Sequence, residues 1–207
     1  MGCDIHSYVE RLHPTKGWVP VNPVPSGNSG PRYYDFDEDT YGDRRIDWDD
    51  WGRWLKDNKS PVKALADTGR ELVDIIPEKA ESWSFGRNYE AFGELAGVRR
   101  EELGPPIERR GVPEDISEQL FHEGFFVEGE HLYRGPLASR KRNGKTYYWD
   151  PDWHSSHWYS LSEMIQFCRD CSFKEKRIWQ LRDEMKKVAK TYGLGSDGVR
   201  FVFWFDN

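Results

Sequence analysis

At 207 residues, with 37% hydrophobic, 15% aromatic and 32% charged residues, the chain suits a single domain that buries a core without disulfide staples. Its net charge of −6, with acids and bases interspersed, lacks the basic face that duplex nucleic acid requires. No apolar run approaches about 18 residues, which excludes a membrane-spanning helix, and three cysteines do not make a secreted disulfide framework.

Taken in chain order, Cys3 to Arg11 reads as a strand, with Ile5, Ser7 and Val9 on one face and Asp4, His6 and Tyr8 on the other. Lys16-Gly17 supplies a turn into Trp18-Val19-Pro20-Val21, its hairpin partner. Asn22 to Pro31 is rich in Pro, Gly and Ser, and residues 32–60 are acidic and aromatic, so an insertion is expected around 22–60. Trp48, Trp51 and Leu55 fall at helical spacing within 47–57, and a second short helix covers 61–69. Residues 87–97 form a better helix, with Tyr89, Phe92, Leu95 and Ala96 along one stripe and Gly97 near its end. After an irregular stretch over 104–117, a hairpin spans 125–149 and turns at Asn143-Gly144. Ser160 and Glu163 make a capping box for a helix to about Asp170. Residues 174–192 form the clearest helix, with Ile178, Leu181, Met185 and Val188 spaced for burial and Gly193 as terminator. The aromatic run Val199 to Phe205 reads as a central strand. The expected fold class is α+β: a single domain over 1–207, with both terminal strands in one mixed or antiparallel sheet and helices packed on it.

Several groups could carry chemistry. Asp4 and His6 share one face of a strand, so a carboxylate and an imidazole converge on one space, as in a metal site or an acid–base pair. The blander alternative is that Asp4 merely orients His6 in a polar core. The stretch Trp149-Asp150-Pro151-Asp152-Trp153-His154-Ser155-Ser156-His157-Trp158 puts two acids, two imidazoles and three indoles just before a capped helix. His154 and His157 could both ligate only if the backbone curls between them. Arg87, ahead of Asn88 and Tyr89, sits where the helix dipole prefers an anion, which points to a phosphate or carboxylate partner, a plain surface position being the equally cheap alternative. Arg110-Gly111-x-Pro113-x-Asp115-x-Ser117 is a fourth group, readable as purely structural. Cys168-x-x-Cys171 lacks the second ligand pair that a zinc site needs. No phosphate-binding glycine loop, nucleophile elbow or H-E-x-x-H pattern occurs.

Five phrases together carry a resemblance: Met1-Gly2-Cys3-Asp4-Ile5-His6; Arg87-Asn88-Tyr89 through Val98-Arg99; Arg110-Gly111-Val112-Pro113-Glu114-Asp115-Ile116-Ser117; His154-Ser155 through Trp158-Tyr159-Ser160-Leu161; and the terminal Phe203-Trp204-Phe205-Asp206-Asn207. The chain resembles a family of largely uncharacterised bacteriophage and prophage proteins. That setting implies an accessory protein in the host cell cytoplasm, of a kind that counters host defence by sequestering a nucleotide signal. On this reading Asp4, His6, Arg87, Tyr89, Trp153, His154, Ser155 and Trp158 bind a phosphate-containing nucleotide. Arg87 and the basic run 140–142 meet phosphate, while Trp149, Trp153 or Trp158 stacks on a base. No cofactor is expected. Two alternatives stay open. One is a metal-dependent phosphoester hydrolase with a divalent ion on Asp4, His6 and His154. The other is a protein-binding inhibitor of a host factor that uses the aromatic stretch 33–54. The sequence leaves both enzymatic activity and homo-oligomerisation open.

Overall fold

The computed structural model describes residues 5–22, 32–34, 43–45, 76–77, 79–83, 88–97, 107–127, 139–149, 154–170 and 176–206. The expected helices over 47–57 and 61–69 lie outside these residues. The strands are β1 (Ile5–His13), β2 (Gly17–Val21), β3 (Arg32–Tyr34), β4 (Asp43–Arg45), β5 (Phe125–Val127), β6 (Ser139–Arg142), β7 (Lys145–Trp149), β8 (His154–Ser160) and β9 (Val199–Phe205). The α-helices are α1 (Tyr89–Ala96), α2 (Glu118–Gly124), α3 (Leu161–Asp170) and α4 (Lys176–Thr191).

Local chemistry explains most of these boundaries. β1 turns into β2 through a loop in which His13 Nδ1 accepts the Thr15 and Lys16 N–H groups, and Gly17 takes φ +74°. In the second hairpin Asn143 and Gly144 have φ of 50° and 75°, the paired left-handed geometry of a two-residue turn that matches strand twist. The Asn88 side chain caps α1 by accepting the Ala91 N–H, and Gly97 closes it in the left-handed conformation. The capping box of α3 forms as read: the Ser160 N–H donates to Glu163 Oε2 at 2.8 Å and the Glu163 N–H to Ser160 Oγ at 3.2 Å. At the end of α4, Gly193 donates to the Lys190 carbonyl and Leu194 to the Ala189 carbonyl, the crossed pair that satisfies the last free carbonyls.

Tertiary structure then sorts these elements into layers. β2, β1, β9 and β8 form one antiparallel sheet in that order, so the two terminal strands are neighbours. All seven residues of β9 are buried, because this central strand is covered on both faces. On one face Val199, Phe201, Phe203 and Phe205 pack with Val9 against α1, α3 and α4, through Phe92, Leu95, Met164, Leu181 and Met185. On the other face Val202 and Trp204 pack with Tyr8 against α2 and a second sheet, β5-β7-β6, through Leu120, Phe121, Phe125, Tyr147 and Trp149. Each fully buried Phe or Leu contributes about 1.5–3 kcal/mol to this double core. β3 and β4 pair as a separate two-stranded ribbon. Among the described residues no helix is long and apolar enough to cross a membrane.

Candidate functional site

The pleat of β9 decides where the sequence-predicted residues stand. His6 lies opposite Trp204 in the ladder and stacks on its ring, with centroids 5.8 Å apart. His154 lies opposite Phe205 and stacks on that ring, also at 5.8 Å. Consecutive strand residues point to opposite faces, so the sheet separates the two imidazoles. The expected pocket joining Asp4, His6 and His154 is therefore corrected for these two histidines, while Asp4 lies outside the described residues. His6 Nε2 instead meets Asp206 Oδ2 at 3.1 Å, tying the two terminal strands together. His154 Nδ1 meets Ser155 Oγ at 3.0 Å, and that hydroxyl accepts from Arg109 Nη1 at 2.9 Å.

The backbone does curl between His154 and His157. β8 carries a bulge there, with Ser155 at φ +51°, and the extra residue returns both imidazoles to the Phe203–Phe205 face. His157 is fully buried and accepts the Arg110 N–H at Nδ1. Burial above all, then the Arg110 guanidinium, pushes its pKa down to about 4. Among the described residues no group of three or more His, Cys, Asp or Glu side chains is placed to hold a metal ion. Cys168 packs in the helical core. Arg87 and Trp153 lie outside the described residues, as does the Tyr89 side chain. Trp149 is packed against Trp204 and Phe125, so it is not a free surface for a base.

Trp158 has a different fate. It faces the Trp204 side of the sheet, beside Arg200, and lines a cleft of about 510 Å³ with Trp18, Arg110, Asp115 and Glu163. Four side chains stack in series across this cleft. The Arg200 guanidinium lies 3.9 Å from the Trp18 ring centre and 5.8 Å from that of Trp158, and Arg110 lies 3.7 Å from the Trp158 ring. Each cation is also held by carboxylates. Arg200 donates to Glu10 Oε2 at 2.7 Å and Asp115 Oδ1 at 2.6 Å, and Arg110 grips Glu163 at 3.0 and 2.8 Å through two nitrogens. Asp115 also accepts from Trp18 Nε1 at 2.8 Å. Burial of Asp115 opposes its charge, but Arg200 and Trp18 outweigh that and hold the carboxyl below its usual range. Glu163 is held low in the same way, burial being overcome by Arg110 and the Ser160 N–H.

A second hollow of about 710 Å³ adjoins the first, sharing Trp18, Glu114 and Asp115 with it. Its rim carries Lys16 and the run Arg140-Lys141-Arg142. Arg140 donates to the Val112 and Pro113 carbonyls, at 2.5 and 2.7 Å, and Arg142 pairs with Glu118 at 2.6 Å. The Lys16 and Lys141 ammonium groups have no hydrogen-bonding partner among the described residues.

Sequence reasoning flagged Trp158 and the 110–117 segment but missed Trp18, Glu10 and Arg200 as site residues. One signal was present: Arg200 interrupts an otherwise apolar central strand, and a charge buried there demands a partner. No family model, curated protein or solved structure matches this chain.

Proposed function

We propose that this protein binds a nucleotide across Trp18, with the base in the carboxylate-lined cleft and the phosphate at Lys16 and Lys141 in the adjoining hollow. The observation that carries the reading is the shared wall. One cavity offers aromatic faces and acceptor groups, the next offers two uncommitted ammonium groups, and Trp18 and Glu114 belong to both. A nucleotide has the same polarity, a flat donor-bearing base at one end and an anion at the other. Of the basic run, Lys141 is the member left for phosphate, since Arg140 and Arg142 are occupied within the fold.

Holding suits this cleft better than cleaving. Among the described residues that line it there is no imidazole or thiol, and Ser160 Oγ is engaged with Ser162 Oγ and the Glu163 N–H. With the resemblance to phage proteins, this supports an accessory protein that sequesters a signalling nucleotide intact in the host cytoplasm.

Calorimetric titration with the four ribonucleoside monophosphates and their parent nucleosides tests the reading. A monophosphate is expected to bind more tightly than its nucleoside. Removing both ammonium groups (Lys16→Ala with Lys141→Ala) is expected to weaken the monophosphate about tenfold, roughly 1.4 kcal/mol, and to leave the nucleoside unchanged. Excess chelator leaves binding intact and the nucleotide is recovered whole. Absence of binding for every nucleotide at millimolar concentration sinks the proposal. Chelator-sensitive binding, or recovery of a cleaved product, replaces it with a metal-dependent hydrolase reading.

A further inference from the structure

The carboxylates of the cleft differ in how much of their acceptor capacity is already used. Asp115 spends its oxygens on Trp18 Nε1 and Arg200. Glu163 spends both on Arg110 and one also on the Ser160 N–H. Asp197 accepts from Ser162 Oγ at 2.6 Å. Glu114 is different: it is exposed, it lines both cavities, and its carboxylate has no hydrogen-bond partner among the described residues.

That carboxylate lines the same two cavities as a ring that is held in place. Trp18 is pinned at its indole N–H by Asp115 and covered on one face by Arg200. Because Trp18 and Glu114 line both cavities, a base stacked on this wall can bring its edge to the Glu114 carboxylate. A carboxylate offers two acceptor oxygens side by side and no donor. Its complement is an edge with two adjacent N–H donors. Guanine has such an edge in its ring N1–H and its exocyclic amino group. Adenine and cytosine set one amino donor beside a ring nitrogen that accepts, and that lone pair would face the carboxylate. Uracil sets a single N–H between two carbonyls.

We infer that Glu114 makes the site selective for guanine nucleotides, reading the base by a two-point hydrogen bond at its Watson–Crick edge. The inference rests on the nucleotide reading above and adds the identity of the base. Surrounding acids strengthen the preference. Besides Glu114, the cleft holds Asp115, Glu163 and Asp197 against the two guanidinium groups of Arg110 and Arg200, which favours a ligand edge that donates rather than accepts.

The test is a calorimetric comparison of GMP and AMP on the wild-type protein and on Glu114→Gln. Gln is isosteric with Glu, and position 114 is exposed, so the fold is retained. The wild type is expected to hold GMP at least about tenfold more tightly than AMP, as loss of one hydrogen bond to a charged group implies. In Glu114→Gln the side chain presents one acceptor and one donor, the complement of adenine. GMP should then weaken about tenfold while AMP is unchanged or tightened. Equal affinity of the wild type for GMP and AMP overturns the inference and leaves the nucleotide reading standing. So does a substitution that weakens both ligands alike. Failure of every mononucleotide to bind removes both.

Discussion

Replacing Arg200 by Met exposes how the wall of the cleft is held. The guanidinium is 2% exposed and bridges Glu10, 0% exposed, to Asp115 at 67%. Met keeps the apolar stem and roughly its length but removes every donor. Glu10 would then be a buried carboxylate with one remaining partner, the Ser117 N–H at 2.8 Å. Breaking a buried ion pair from one side costs about 3–5 kcal/mol, most of it the uncompensated charge left behind. The Asp115 half of the bridge contributes little to that sum, because its carboxylate stays solvated. A domain with about 5–15 kcal/mol of total stability would lose a large part of it. Urea unfolding followed by tryptophan fluorescence reads the change as a lower midpoint. Adding Glu10→Gln to the Arg200→Met variant removes the stranded charge and keeps an acceptor for Ser117. The double variant is therefore expected to be more stable than Arg200→Met alone, with a coupling energy of about 2 kcal/mol or more in the cycle. The reasoning is refuted if Arg200→Met costs less than about 1 kcal/mol, the scale of a surface pair, or if the two changes simply add.

Two further outcomes follow from the geometry. His157 titrates near 6.5 in an unfolded chain but about 4 in the fold, so the unfolded state alone takes up that proton between these values. The stability it contributes is complete above pH 6.5 and is lost as pH falls toward 4, reaching about 3 kcal/mol from a gap of roughly 2.5 pH units. His157→Gln should flatten the wild-type pH dependence of unfolding free energy across that window, and parallel curves would contradict the assignment. Gly124 packs directly beneath the six-membered ring of Trp149, where an added Cβ would overlap ring atoms. Gly124→Ala should therefore cost about 1–3 kcal/mol by overpacking, and an unchanged thermal midpoint would show that the ring moves aside freely.

The legible parts of this protein are those whose causes lie within a few residues. Asn143-Gly144, the Ser160–Glu163 box, Gly97 and Gly193 each set a local backbone geometry, so the hairpin turn and the helix ends could be read directly. The hairpin itself spans Ser139–Trp149 rather than the expected 125–149, with Phe125–Val127 a third strand on the other edge of β7. Hydrophobic spacing likewise foretold the buried stripe of α4 and the run of β9. The candidate site obeys no such rule. Trp18 meets Asp115 across 97 positions, Arg200 meets Asp115 across 85, and Arg200 meets Glu10 across 190. Alternation along Ile5–Val9 was visible in the sequence, but which strand would lie beside it, and in what register, was not. That register puts His6 on Trp204 and His154 on Phe205, one residue apart and so on opposite faces. A single bulge in β8 then returns His157 to the buried side and leaves Trp158 on the cleft. The sequence by itself determined most of the elements and the presence of both terminal strands in one sheet, but not the strand His154–Ser160 or the helix Glu118–Gly124. Only the tertiary structure decided which face each polar side chain occupies, because a shift of one residue in a ladder inverts every side chain along it.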